Sequence, residues 1–504
     1  MSSAAAGKVI KNTMALYLRM IVLTIISLFT YRVILQALGA SDYGTYNVVG
    51  GFIAMFSFVS GTMINASQRF LAINMVDNDW DKINKMFSIN LFIYIALSIL
   101  ILLVAETLGL WFVMNKLNVD YSRSLAIFIV YQTSVLTFLM TLLISPFMAL
   151  MVADENLTVY SWVSILEGIL RVVVAYLLCT IKGDKLIVYS ILSLVVAILI
   201  NGFYLGYCTR KYKKLKITFC KDIGEYKAVF KFINWNLIGA IAAVGKNQGM
   251  NIIINIFFGT VVNAARGIAA QLNSVISSFA QNFMKAIDPR IMKAYASGDE
   301  TTFASMLKTS SKVSYYLLLV VSLPFILNVE YVLGIWLVEV PQYTAIFTIL
   351  ALVDALILSM TDPLLTAVQA IGDVKVYQMT VGTLSLLNLP VAYILLQIYD
   401  NPIVPFVVAI VIDSLITFGR MLNVKRLYPF SIWEYCKVVV FPIMIVTGVT
   451  SVAAIQVFFD AGTFVELVIN VLGTIACLAV MVYSVGLDAN ERLAVKKMIP
   501  LKRR

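Results

Sequence analysis

From Phe232 to Ile287 two apolar runs follow one another almost without a break, Phe232 to Phe258 and Val261 to Ile287. Each is long enough to cross a bilayer core as a helix. Each also carries a cation in mid-run, Lys246 in the first and Arg266 in the second. A charge at membrane depth costs about 2.5 to 3.5 kcal/mol on insertion scales, so it calls for a partner or a wet cavity. An anionic group or water is therefore expected to face this pair of helices.

The same hairpin stands near the start of the chain, where runs 13–38 and 44–66 flank the turn Gly39 to Gly44. A shift of about 220 residues sets Gly39 on Gly259, Ser57 on Ser277, and Gln68-Arg69-Phe70 beside Pro289-Arg290-Ile291. An internal repeat of this kind implies two lobes with a binding site between them.

Along the whole chain about fourteen apolar runs can be counted: 13–38, 44–66, 87–111, 123–151, 157–180, 186–208, 232–258, 261–287, 313–337, 342–370, 376–398, 402–423, 436–459 and 463–487. With 61% hydrophobic and 13% charged residues in 504, the chain reads as an all-α, polytopic membrane protein. The domain reading is a six-helix lobe over 1–208, a basic linker over 209–231, a second six-helix lobe over 232–424, and two further helices with a basic tail over 425–504. The first run lacks a small-residue cleavage pattern and reads as a retained helix.

The five cysteines are scattered, and there is no histidine. Neither a disulfide framework nor a thiolate metal site is suggested, and histidine-dependent zinc, acid–base and proton-relay chemistry is excluded. No cofactor is expected. The loops opposite the termini are short, which argues against an enzyme with an external catalytic domain.

The net charge of +11 is concentrated in short loops on the side of the two termini, including 69–85, 210–231, 285–312 and 420–437. The opposite loops hold Lys116, Arg123, Lys182 and Lys185. This is the positive-inside pattern; it places both termini in the cytoplasm and makes nucleic acid an unneeded explanation. The densest basic stretch, Thr209 to Lys231, reads either as topogenic charge or as a contact with anionic lipid headgroups.

Polar residues inside the runs mark candidate lining. The second run presents Asn47, Gly50, Ala54, Ser57, Gly61 and Asn65 on one face, and its repeat partner presents Arg266, Asn273, Ser277 and Gln281. Such faces either pack closely or line a water-filled path. In the seventh run Asn247, Asn251 and Asn255 recur every four residues beside Gly245 and Gly249. Arg19 and Arg171 are further cations at depth. Arg171 follows Glu167 by four residues, the spacing of an intrahelical ion pair. Asp354, Asp362 and Asp413 could bind a coupling proton or sodium, or neutralise Lys246 or Arg266. Pro146, Pro324, Pro363, Pro390 and Pro442 are expected to kink their spans.

Leu38-Gly39-Ala40-Ser41-Asp42-Tyr43-Gly44, Ser67-Gln68-Arg69-Phe70, Asn263-Ala264-Ala265-Arg266-Gly267-Ile268-Ala269 and Asp288-Pro289-Arg290-Ile291 together resemble bacterial polysaccharide flippases of the Wzx type, within the multidrug, oligosaccharidyl-lipid and polysaccharide exporter superfamily. The resemblance implies two six-helix bundles around a central cavity, two additional C-terminal helices, and passage of undecaprenyl-diphosphate-linked sugar repeat units across the bacterial inner membrane. A glycan polymerase and a chain-length regulator are the partners it implies. Lys246, Arg266, Arg19 and Arg171 are the cations expected to meet the anionic headgroup, with Asn47, Ser57, Asn251, Asn273, Ser277 and Gln281 lining the path. A cation-coupled drug exporter of the same superfamily, a peptidoglycan-precursor flippase and a membrane glycosyltransferase are the alternatives; buried cations argue against the first and short outer loops against the last.

Overall fold

A computed structural model of the chain describes residues 3–57, 67, 71, 79–117, 123–154, 157–181, 183–218, 223–372, 374–458, 461–489 and 491–493. Among the described residues every regular element is helical. Twelve stretches among these residues are long and apolar enough to cross a membrane, so the protein is a multi-pass membrane protein. The fourteen runs of the sequence reduce to twelve continuous stretches because two of them, α1 (Ser3–Ala54) and α6 (Ile223–Ala296), are each a pair of helices joined at a single glycine.

Those glycines explain the joints. Gly39 has φ 76° and ψ 168°, and Gly259 has φ 76° and ψ −168°, a region of backbone space that is essentially reserved for glycine. The chain turns back at both. The Tyr31 and Tyr43 rings, twelve positions apart, lie 5.1 Å centroid to centroid across Gly39. Asn263 donates to the Asn251 carbonyl at 2.7 Å across Gly259. In a straight helix twelve residues span about 18 Å. Positions 31 and 43 map onto 251 and 263 at the 220-residue shift, so the two hairpins close with the same register.

The offset persists down the chain. The helices α2 (Trp80–Asn115), α3 (Ser124–Ala153), α4 (Leu157–Thr180) and α5 (Lys185–Lys211) are followed, 217 to 220 residues later, by α7 (Glu300–Leu327), then α8 (Val329–Trp336), α9 (Thr344–Ser359), α10 (Asp362–Ile371), α11 (Val374–Ile398) and α12 (Val404–Leu427). The starts of α2 and α7, and of α3 and α9, are 220 residues apart. Asp79 and Asp299, also 220 apart, both cap their helices by accepting backbone N–H bonds. The last spans are α13 (Ile432–Val457) and α14 (Phe464–Gly486).

The chain divides into two compact units, Met1–Ala264 and Ala265–Arg504. The division falls just beyond the Gly259 turn, whereas the basic segment 209–231 was the expected linker. Its physical origin is local. Ser41 and Thr260 hydroxyls are 3.2 Å apart, and a Cβ on Gly44 would fall inside the Thr260 carbonyl. The first leg of α6 also meets α1 where Gly51 faces Gln248 and Asn251. The seventh span is thereby held in the first unit.

Of the prolines, Pro146, Pro324 and Pro390 lie within continuous helices. Pro363 follows a break within its span: run 342–370 is interrupted at Met360 and Thr361, with Pro363 in the first turn of α10.

Candidate functional site

At one end of the first unit three loops converge on Arg123. Its guanidinium bonds Asp42 in the Gly39 turn and, through Nη2 at 2.5 Å, Asp184, the N-cap of α5. Asp42's hydrogen bond, against the opposing effect of burial and together with Asp184, raises the Arg123 pKa. Burial alone would raise the Asp184 carboxyl, but Arg123 and the amides of Ile187 and Leu186 hold it below the ordinary carboxylate range. The motif Gly39 to Gly44 thus makes a glycine-only turn, an ion-pair anchor at Asp42 and a close approach at Gly44.

Below this end, the second leg of α1 has two kinds of face. Val48, Val49, Gly51 and Ile53 are buried, while Asn47, Gly50, Ala54 and Ser57 are all half-buried. The rest of that face, including Gly61 and Asn65, lies outside the described residues. The second leg of α6, in the second unit, repeats the pattern. Ala265, Ile268, Leu272, Ile276 and Ala280 are buried, Arg266, Asn273 and Ser277 are half-buried, and Gln281 is exposed. Ser277 donates to Asn273 at 3.0 Å. A set of half-buried polar positions therefore recurs on the corresponding helix of each unit, with the Asn47 amide nitrogen itself buried.

Lys246 is half-buried in the first leg of α6. On the same leg Asn247 is exposed, Asn251 half-buried and Asn255 fully buried, so the asparagine stripe passes from an accessible surface into packing. Arg19 lies in α1, and its side chain is outside the described residues. Arg171 takes the structural alternative foreseen for it: Nη2 and Nε lie 2.8 and 3.1 Å from Glu167 Oε1. Half of its side chain stays accessible, within electrostatic reach of Tyr46 and Tyr189, whose rings meet edge to face at 4.7 Å.

In the second unit Asp362 meets Arg420 at 2.8 Å; Lys246 and Arg266, the partners considered from sequence, do not enter this pair. Arg420 Nη1 also lies 3.3 Å from the Leu358 carbonyl and from Thr361 Oγ1. Tyr435 supplies a hydroxyl 2.7 Å from the Met360 carbonyl. These contacts satisfy the carbonyls freed where α9 stops and α10 begins, as a break at membrane depth requires. Asp413 is 1% exposed and adds its charge to the surroundings of Arg420. Asp354 is half-buried on α9.

Two buried cations are therefore corrections to the sequence reading. Arg420 and Lys312, counted there as loop charges, sit inside α12 and α7. Lys312 is 1% exposed and pairs with Glu491, which also accepts from Thr309 at 2.8 Å. The signal available in sequence was weak, because a lysine near the end of an apolar run has the same appearance whether it is topogenic or buried.

No family model matches the sequence, and no curated protein matches it. Solved structures do. A lipid II flippase, MurJ, in an inward closed conformation superposes with a TM-score of 0.70 at 13% identity, covering 94% of this chain and 98% of that one. The fold is that of a MOP-type transporter. An outward-facing multidrug resistance MATE family transporter of the MOP superfamily gives a TM-score of 0.60 at 13% identity over 83% and 95% of the two chains. A MOP superfamily transporter from Pyrococcus furiosus, described as having a binding pocket of reverse polarity, gives 0.58 at 11% identity over 83% and 95%. These neighbours are transporters and flippases, and none is described as an enzyme.

Proposed function

We propose that the protein is a flippase for undecaprenyl-diphosphate-linked oligosaccharide repeat units, moving them across the bacterial inner membrane by alternating access for surface polysaccharide synthesis. The observation that carries this reading is the pair of half-buried polar faces on the second legs of α1 and α6, with Lys246 and Arg266 half-buried within the spanning stretch Val244–Met284. A lipid diphosphate must take a hydrated anionic headgroup through the bilayer, and cations on a wet surface offset its desolvation. A drug exporter for organic cations calls for the opposite sign, and the reverse-polarity relative is a precedent for such a change within this fold. Both termini are assigned to the cytoplasm on the distribution of basic loops. A coupling proton or sodium is assigned to Asp354, half-buried on α9; Asp362 pairs with Arg420, and Asp413 adds its charge to the same surroundings.

A second reading, a peptidoglycan-precursor flippase, is favoured by the higher superposition on the lipid II flippase. Deletion of the gene separates the two. Loss of surface glycan with accumulation of undecaprenyl-linked repeat units supports the first; accumulation of the peptidoglycan precursor supports the second. Unchanged glycan with raised sensitivity to cationic drugs overturns both.

A further inference from the structure

Helix α5 ends in a feature that the transport reading does not use. Gly202, Phe203, Gly206, Tyr207, Arg210 and Lys211 line an open cavity of about 500 Å³ on its last three turns. The size lies within the roughly 300 to 1,000 Å³ of small-ligand sites. A Cβ on Gly202 or Gly206 would meet nothing within 4 Å, so the two glycines leave open space beside Phe203 and Tyr207. Leading into it along the helix, Ile191, Val195, Leu199 and Phe203 are 42% to 56% exposed, a continuous apolar track of the kind that faces acyl chains.

The charged rim is ordered. Lys211 is held by Asp154 at 2.7 Å and lies over the Tyr212 ring at 5.1 Å. Beyond it the chain runs as a strap across α2: the Lys214 carbonyl accepts from Asn84 at 3.1 Å, the Lys216 amide donates to Asn84 at 3.0 Å, and the Thr218 amide donates to Ser88 at 2.8 Å. The strap leaves Lys213, Lys214 and Lys216 exposed, as is Arg210 near the end of α5. Among the described residues none of these four cations has a carboxylate partner. A basic segment that served only to set topology would need neither this fixed backbone nor an adjoining notch.

We propose that the end of α5 and the strap form a binding site for an anionic phospholipid, with an acyl chain in the Gly202/Gly206 notch and the phosphate held by Arg210 and the strap lysines. None of its residues belongs to the polar faces of α1 and α6 assigned to transport, so the lipid it binds is a resident one and not the transported one.

The test uses the full-length protein in nanodiscs of phosphatidylglycerol and phosphatidylcholine, with retained lipid measured by mass spectrometry after delipidation. Wild type retains phosphatidylglycerol preferentially. Replacing Arg210, Lys213, Lys214 and Lys216 by Gln lowers that preference by about fivefold per residue, the equivalent of about 1 kcal/mol each. Gly202→Leu with Gly206→Leu keeps every charge, places its Cβ atoms in open space, and lowers the amount of phosphatidylglycerol retained with the melting temperature unchanged. Equal retention of the two lipids by wild type overturns the proposal. So does undiminished retention in the double leucine variant, or full displacement of the lipid by inorganic phosphate, which would mark a phosphate site without a lipid.

Discussion

In the first unit Arg123 joins three loops at a helix end, where its own side chain is 32% exposed, and Arg171 pairs within one helix at the surface. In the second unit Arg420 and Lys312 are buried inside the helices and reach carboxylates on other elements. The backbone template is shared, down to Gly39 and Gly259 and the caps Asp79 and Asp299, while the charges are distributed differently. A repeat can thus preserve where helices break and turn without preserving what they carry. The turn glycines answer to backbone sterics, which any copy of the fold must obey; the charges answer to local partners, which each copy can choose.

That contrast is most sharply broken at Lys312. Lys312→Met leaves the Glu491 carboxylate, 10% exposed, without its cation, and should cost about 3 to 5 kcal/mol, read as a lower melting temperature in detergent. Lys312→Met combined with Glu491→Leu should recover most of the loss. Arg420→Met should act in the same direction as the single lysine variant, because it leaves Asp362 without its cation beside the α9–α10 break.

The fold was legible in the sequence to the extent that it rested on local rules. Apolar run lengths yielded the spans, and Gly39 and Gly259 at a fixed shift yielded the paired hairpins. The buried cations were not legible because their partners are remote: Arg420 is 58 residues from Asp362, and Lys312 is 179 from Glu491. Near the end of a run, the positive-inside pattern absorbed both. The break at Met360 and Thr361 was hidden for a related reason, since Asp362-Pro363 opens a helix as readily as it kinks one. Of the candidate site, the shared faces of Asn47, Ser57, Arg266, Asn273 and Ser277 follow from helical spacing and these residues are half-buried, whereas the Glu167 pairing of Arg171 needed the three-dimensional structure to decide between two readings.

The next effect in size compares equivalent turn positions. Gly44 and Ala264 correspond at the 220-residue shift; at Gly44 a Cβ would fall inside the Thr260 carbonyl, whereas position 264 carries a Cβ and is fully buried. Gly44→Ala should cost about 1 to 3 kcal/mol by overpacking, and Ala264→Gly at most about 1 kcal/mol through helix propensity. Equal melting shifts in the two variants would remove the asymmetry.

Smaller again is the Arg123 anchor, for which Arg123→Gln should cost roughly 1 to 2 kcal/mol because two part-exposed carboxylates lose a shared donor. Its pH signature follows from Asp184. A carboxyl held below its ordinary value of about 3.9 contributes stability that is fully present above that pH and is lost as pH falls through the lower folded value. Wild type should therefore lose stability below about pH 4 more steeply than Arg123→Gln in a melting series. Smallest is Arg171→Met, expected to change stability by less than about 1 kcal/mol because the Glu167 pair is largely accessible.

The central claim is that Lys246 and Arg266 meet an anionic headgroup. The most direct measurement is flipping of a diphosphate-linked oligosaccharide lipid in proteoliposomes containing wild type, Lys246→Ala or Arg266→Ala at matched protein levels. The account predicts that each alanine variant slows flipping by about tenfold or more, the loss of roughly 1.4 kcal/mol or more of charge-assisted contact, with unchanged melting. Full flipping rates in both variants would contradict it.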